Sequence, residues 1–213
     1  MENPVSVYSA FFDKQLSGDQ YDFYIAQLSV KEQQKLSKFR RWEDATASLI
    51  GKILLMKMMQ EEHRSTVSLN DMEYTKYNKP FFQNEVDFSI AHSGNYVVCA
   101  MARNGKIGID IERMNNVDIT YYKYILSHNE LDCIAVSGGH DIFYRVWTKK
   151  EAIIKADGRG LNIKLDQVNT LDNPVELEGV FWHTKDIAID AGYSMSIASD
   201  NFITGFNYKH IIF

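Results

Sequence analysis

Three carboxylates and a lysine are the residues of this chain best suited to chemistry. Asp110 and Glu112 stand in Ile107-Gly-Ile-Asp-Ile-Glu112, and Glu151 and Lys155 in Trp147-Thr-Lys-Lys-Glu-Ala-Ile-Ile-Lys155. In the first stretch Ile107, Ile109 and Ile111 alternate with Gly108, Asp110 and Glu112. That is the period of a half-buried strand, so both acids project from one face, about 7 Å apart. Like charges at that spacing repel and raise each other's pKa unless a cation compensates. With Glu151 as a third oxygen ligand the set suits a hard cation. Mg²⁺ takes few protein carboxylates and completes its shell with water and substrate phosphate oxygens, so these residue types point to metal-assisted phosphoryl chemistry. By themselves, Glu151 and Lys155 equally describe an ordinary i,i+4 ion pair on a solvated helix face.

The element that must position the second pair is a helix. Phe143, Val146, Trp147, Lys150 through its stem, and Ile154 recur at three- and four-residue steps, one buried stripe, and Gly158 and Gly160 stop it. At about 100° per residue Trp147, Glu151 and Lys155 lie one above another at the edge of that stripe. Trp147 is expected to pack behind the site.

Together, in this order and spacing, the two motifs resemble the 4'-phosphopantetheinyl transferases of the long, surfactin-synthetase-activating type, which activate peptide, polyketide and siderophore synthases. The resemblance runs roughly from residue 31 to 161. It implies an α+β fold, a pseudo-dimer of two similar α+β units with the active site in the cleft between them. It also implies transfer of 4'-phosphopantetheine from coenzyme A to a serine of an apo acyl, peptidyl or polyketide carrier protein, releasing adenosine 3',5'-bisphosphate. Asp110, Glu112 and Glu151 would hold Mg²⁺, with Mn²⁺ as a substitute. Glu151 and Lys155 would be catalytic, with Lys155 on the phosphates and the serine proton going to Glu151 or to a water on the cation.

The same resemblance assigns coenzyme A contacts to Lys35, Lys79, Pro80, His92, Ser93, Asp110 and Lys155. Lys35 lies in a basic run that is otherwise an ordinary solvated face, and Pro80 forces the backbone that holds Lys79 on a loop. Phe88-Ser-Ile-Ala-His-Ser93 departs from the family signature at Ser89, where asparagine is usual, and at Ala91, where serine is usual. Losing that hydroxyl is expected to remove one phosphate hydrogen bond, about 0.5 to 1.5 kcal/mol.

Elsewhere the pattern predicts a strand over residues 5 to 12 and helices over 19 to 28 and 42 to 59, the last with Leu49, Ile53 and Met56 inward. Short strands are expected at Val67 to Leu69, Met72 to Thr75 and Asp87 to Ala91. Capping boxes appear at Ser29 to Glu32 and at Ser127 to Glu130. Residues 119 to 126 read as a short helix whose Tyr121, Tyr122 and Tyr124 go to the core, 137 to 140 as a loop, and strands at 179 to 183, 187 to 189, 193 to 198 and 202 to 208 fill the tail. An offset of 107 (151 − 44) sets Asp44-Ala45 on Glu151-Ala152 and Ser89-Ile-Ala91 on Ser196-Ile-Ala198. That suggests two copies of one unit, residues 1–106 and 107–213.

Composition sets the remaining bounds. Of 213 residues 45% are apolar and 13% aromatic, ample for a core, and the net charge of −5 excludes a broad nucleic-acid footprint. Cys99 and Cys133 are expected as buried thiols in a reducing compartment. No secretory signal or membrane span is evident, so the expectation is a cytoplasmic protein, and a monomer because the cleft forms within one chain. Two alternatives stay open: a coenzyme A- or carrier-binding regulator without chemistry, and another Mg²⁺-dependent phosphotransferase or pyrophosphohydrolase.

Overall fold

Period-two burial along the strands builds two four-stranded sheets. The computed structural model describes residues 5–63, 68–83, 86–137 and 139–213. The first half runs β1 (Val5–Phe11), α1 (Gly18–Ile25), α2 (Val30–Leu36), α3 (Trp42–Met58), the small hairpin β2 (Glu73–Tyr74) and β3 (Pro80–Phe81), then β4 (Asp87–Ser93) and β5 (Tyr96–Ala102). The second runs β6 (Ile107–Arg113), α4 (His128–Ser137), α5 (His140–Asp157), β7 (Val175–Leu177), β8 (Val180–Asp186) and β9 (Tyr193–Ser199), and β10 (Phe206–Ile211) closes the chain.

Each half repeats one antiparallel plan, β1-β5-β4 in one sheet and β6-β9-β8 in the other. The chain is thus an α+β protein of two similar units. The plan relates β4 to β8 and β5 to β9, so the 107-residue offset is corrected: it sets Ser89–Ala91 of β4 on Ser196–Ala198 of β9, which hold different places in their sheets. Loops of unequal length separate the equivalent elements, and no single offset survives them. β10 returns to the first sheet and pairs parallel with β1, Val5 opposite Phe206.

Alternation decides what each face buries. Val5 and Val7 of β1, Ala91 of β4 and Val98 and Ala100 of β5 meet Ile107, Ile109 and Ile111 of β6 and Met195 and Ile197 of β9 in one apolar cluster between the sheets. On the far face of the first sheet Tyr8, Ala10, Phe88, Val97 and Cys99 pack under Leu49, Ile50, Ile53 and Leu54 of α3. α5 covers the far face of the second, placing Phe143, Val146, Ile153 and Ile154 in a cluster with Trp182 and Ala198.

Local readings fare unevenly. Gly158, at φ 88°, ends α5 as a left-handed C-cap, as a glycine there permits. The Ser127–Glu130 box closes, the Glu130 amide donating to Ser127 Oγ (3.3 Å) and the Ser127 amide to Glu130 Oε2 (2.8 Å). At Ser29 only half of the box forms, because the Glu32 carboxylate turns inward to Lys35, Lys52 and Tyr74. A further box, Ser17 with Gln20, caps α1.

Other local expectations are corrected. Residues 119 to 126 form only a 3₁₀ turn, Ile119–Tyr122, and Tyr121 and Tyr124 are exposed (74% and 77%) while Tyr122 packs on Phe143 and Trp147. Leu69 opens a 3₁₀ turn, with Val67 outside the described residues, as is Gly138 in the loop before α5. Residues 187 to 189 extend no strand, and Cys133 is half-buried where Cys99 is fully buried. Lys150 buries its ammonium as well as its stem: Nζ lies 2.7 Å from Glu130 Oε2 and donates to the Leu165 and Val168 carbonyls.

Candidate active site

The site begins with the absence of a side chain. A Cβ placed on Gly108 would lie 1.9 Å from the Ala152 carbonyl oxygen and 2.5 Å from the Ala156 amide nitrogen. Only glycine lets α5 lie that close on β6. The face of β6 that carries Gly108 also carries Asp110 and Glu112, so the approach brings these acids to Glu151 and Lys155 on α5.

Asp110 is 4% exposed, and Lys155 Nζ donates to its Oδ1 at 2.5 Å. Its other oxygen, Oδ2, is buried with no hydrogen-bond partner among the described residues. Burial pushes the Asp110 carboxyl up to about 7, Lys155 opposing and Glu112 and Glu151 adding to the rise. Glu112 is tethered: Ser93 Oγ donates to Oε2 (2.7 Å) and the Trp147 indole N–H to Oε1 (3.3 Å). Trp147 therefore does more than pack behind the site; it holds a carboxylate. Glu151 is half-buried and accepts no hydrogen bond among the described residues, and burial followed by the charge of Glu112 raises its pKa against Lys155.

A cavity of about 280 Å³ opens beside these groups, between the halves, walled by Tyr77–Pro80 and Phe88–Ile90 on one side and Glu151, Ile154, Lys155, Gly158 and Gly160 on the other. Lys79 lines it with its stem against Gly158, while its ammonium bridges the halves from Asp87 Oδ2 (2.8 Å) to the Ala156 carbonyl (3.1 Å). Asp87, which also accepts the Ile107 amide at 2.7 Å, had no signal in the sequence. Pro80 and Ser89 are in the wall.

Not every expected contact gathers there. His92 lines a separate, polar cavity of about 460 Å³ with Arg41, Asp44 and Arg113. Its pKa is lowered by burial first and by Lys155 next. Lys35 is outside both walls, paired with Glu32 (2.7 Å) above the Tyr74 ring (3.7 Å). Burial alone would raise the Glu32 carboxyl, but Lys35, Tyr74 and Lys52 together hold it below its usual range. Lys52, reaching Glu32 from α3 at 3.5 Å, is a second basic residue of this cluster that sequence reading missed. Ala91 is 5% exposed between the sheets, away from the cavity, so a hydroxyl at that position would face an apolar cluster.

The three carboxylates are not drawn into a ready-made metal cluster among the described residues. The donor set nevertheless fits a hard cation. Among the described residues one buried oxygen of Asp110 lacks a partner, Glu151 accepts no hydrogen bond, and Lys155 is the ammonium paired with Asp110.

Comparison with known proteins accounts for both halves. Residues 106–205 match the family model "4'-phosphopantetheinyl transferase superfamily", and residues 15–104 match "4'-phosphopantetheinyl transferase, N-terminal". The chain is 28% identical over 207 residues to 4'-phosphopantetheinyl transferase Sfp of Bacillus subtilis, covering 92% of each protein. It is 32% identical over 149 residues to 4'-phosphopantetheinyl transferase gsp of Aneurinibacillus migulanus, covering 68% of this chain and 62% of that one. No described helix is long and apolar enough to cross a membrane. Matched through both units in the order the fold displays them, the chain belongs to the 4'-phosphopantetheinyl transferase superfamily and is an enzyme of its long type.

Proposed function

We propose that this enzyme transfers 4'-phosphopantetheine from coenzyme A to a serine of an apo acyl, peptidyl or polyketide carrier protein, with Mg²⁺ as the cofactor. The observation that carries the metal reading is the buried Oδ2 of Asp110, without a partner among the described residues, near the Glu151 carboxylate, which accepts no hydrogen bond among them. Asp110, Glu112 and Glu151 would hold the ion, which when bound neutralises charge gathering on the leaving phosphate.

The chain's own residues do the rest. Lys155, on a flexible stem at the cavity wall, pairs with the pyrophosphate. Lys79 and Pro80 shape the nucleotide wall; His92, kept neutral by burial and by Lys155, offers an imidazole hydrogen bond from the neighbouring cavity, and Lys35, farther out, offers positive charge to the remaining phosphate. The serine hydroxyl attacks the phosphorus that carries the pantetheine arm, its O–P bond forms, and the bond to the adenosine 3',5'-bisphosphate oxygen breaks. Glu151, whose pKa burial raises above the ordinary carboxylate value, takes the hydroxyl proton. Glu112, fixed by Ser93 and Trp147, keeps its place throughout. One chain supplies both walls, so the working unit is a monomer.

Incubation with coenzyme A, Mg²⁺ and an apo carrier domain should add the phosphopantetheine mass to the carrier serine. Release of free 4'-phosphopantetheine without carrier modification would replace this reading with a hydrolytic one.

A further inference from the structure

Lys155 and a divalent ion compete for Asp110. The ammonium touches Oδ1 at 2.5 Å, and a second cation on the same carboxylate would meet that charge within a few ångströms. Two of the other groups around the site are fixed or offer no substitute. Glu112 is held by Ser93 and Trp147, and the Lys79 ammonium is locked between Asp87 and the Ala156 carbonyl. Lys155 is different: about a third of its side chain is exposed (31%), and Asp110 is its one ion-pair partner among the described residues.

We propose that Lys155 is a stand-in cation, occupying Asp110 until phosphate oxygens in the cavity draw it away, so that divalent ion and coenzyme A bind cooperatively. This rests on the reading of Asp110 as a metal ligand. The ammonium satisfies one buried oxygen while the ion is absent. Phosphate then offers it a second anionic partner along the same cavity wall, and its departure removes the positive charge that opposes an ion on the Asp110 carboxylate. Because the coupling is a property of both ligands, whatever strengthens ion binding through Lys155 strengthens nucleotide binding by the same factor.

The probe is Mn²⁺ alone, titrated into the full chain without nucleotide and followed by loss of the free-ion paramagnetic resonance signal. Lys155→Met should bind Mn²⁺ about tenfold more tightly than the parent, since a competing charge is removed. Lys155→Gln should do the same, which guards against a folding defect in either variant. Lys149→Met removes the same charge six residues earlier on α5, from a side chain paired with Asp186, and should leave Mn²⁺ affinity unchanged. Asp110→Asn should lose the site. Affinity unchanged or weakened in both Lys155 variants, with Asp110→Asn still losing the site, overturns the stand-in role and leaves the metal assignment intact. Equal tightening by Lys149→Met overturns it too, as a general charge effect. Parent-like binding by Asp110→Asn sinks the metal assignment and this inference together.

Discussion

Gly108 of β6 and Ala152 of α5 are in backbone contact: no Cβ fits between the glycine and the Ala152 carbonyl oxygen. The geometry of the proposed site depends on that approach, because Asp110 lies two residues beyond the glycine on the same strand face and Glu151 immediately precedes the alanine. Substituting Gly108→Ala must push the helix outward or distort the strand, at about 1 to 3 kcal/mol or more. Urea denaturation should show that loss, and the folded fraction should transfer at least about tenfold more slowly, because sub-ångström placement of catalytic groups is disturbed. Parent-like stability and activity would mean the contact is not required.

Asp110 gives a pH signature in the metal-free protein. Its folded-state pKa is raised from 3.8 to about 7, so between those values the folded state keeps a proton that the unfolded state has lost. Its contribution to stability is therefore greatest below pH ~4 and declines as pH rises through 7. Asp110→Asn should remove that decline and raise metal-free stability at pH 8, by on the order of 1 kcal/mol or more, while abolishing transfer. Thermal melts of both proteins across pH 5 to 8, without metal, test it; a parallel pH dependence would contradict it.

The Glu130–Lys150 pair is fully buried and fully partnered. Glu130 also accepts the amide and hydroxyl of Thr170 at 2.9 and 2.8 Å. Lys150→Met alone should cost about 3 to 5 kcal/mol, because it strands a carboxylate in the core. The double change with Glu130→Leu should recover part of that loss, as measured in a double-mutant cycle.

Trp147 supports Glu112 through its indole N–H. Trp147→Phe keeps most of the packing against Tyr122 and deletes that donor. Transfer should fall by about tenfold, the weight of one hydrogen bond to a charged group, with stability changed by less than about 1 kcal/mol. Unchanged transfer would return the tryptophan to a packing role alone.

Ala91→Ser tests the family's missing hydroxyl. Because the side chain faces the apolar cluster between the sheets, the serine should lower stability by about 1 to 3 kcal/mol. Apparent affinity for coenzyme A should stay the same; a clear gain would show that the position reaches the phosphates after all.

Period and capping alone determined a good deal of this protein. Alternation along Ile107–Glu112 put both acids on one face, the three- and four-residue steps of α5 put Glu151 and Lys155 on one edge, and the Gly158 stop was visible because a left-handed residue after a helix favours glycine. Those are local consequences of backbone geometry, and local geometry is written in neighbouring residues. The tertiary structure alone decided what depends on residues far apart in the chain. It seated Lys155 on Asp110, tied Glu112 to Ser93 and Trp147, locked Lys79 on Asp87, and removed Lys35 and Ala91 from the cavity wall. The same holds for the return of β10 to the first sheet and for the unequal spacing that defeats a single repeat offset. Which partner a charged side chain finds is a competition among all groups that folding brings within reach, and spacing along the chain does not record the outcome of that competition.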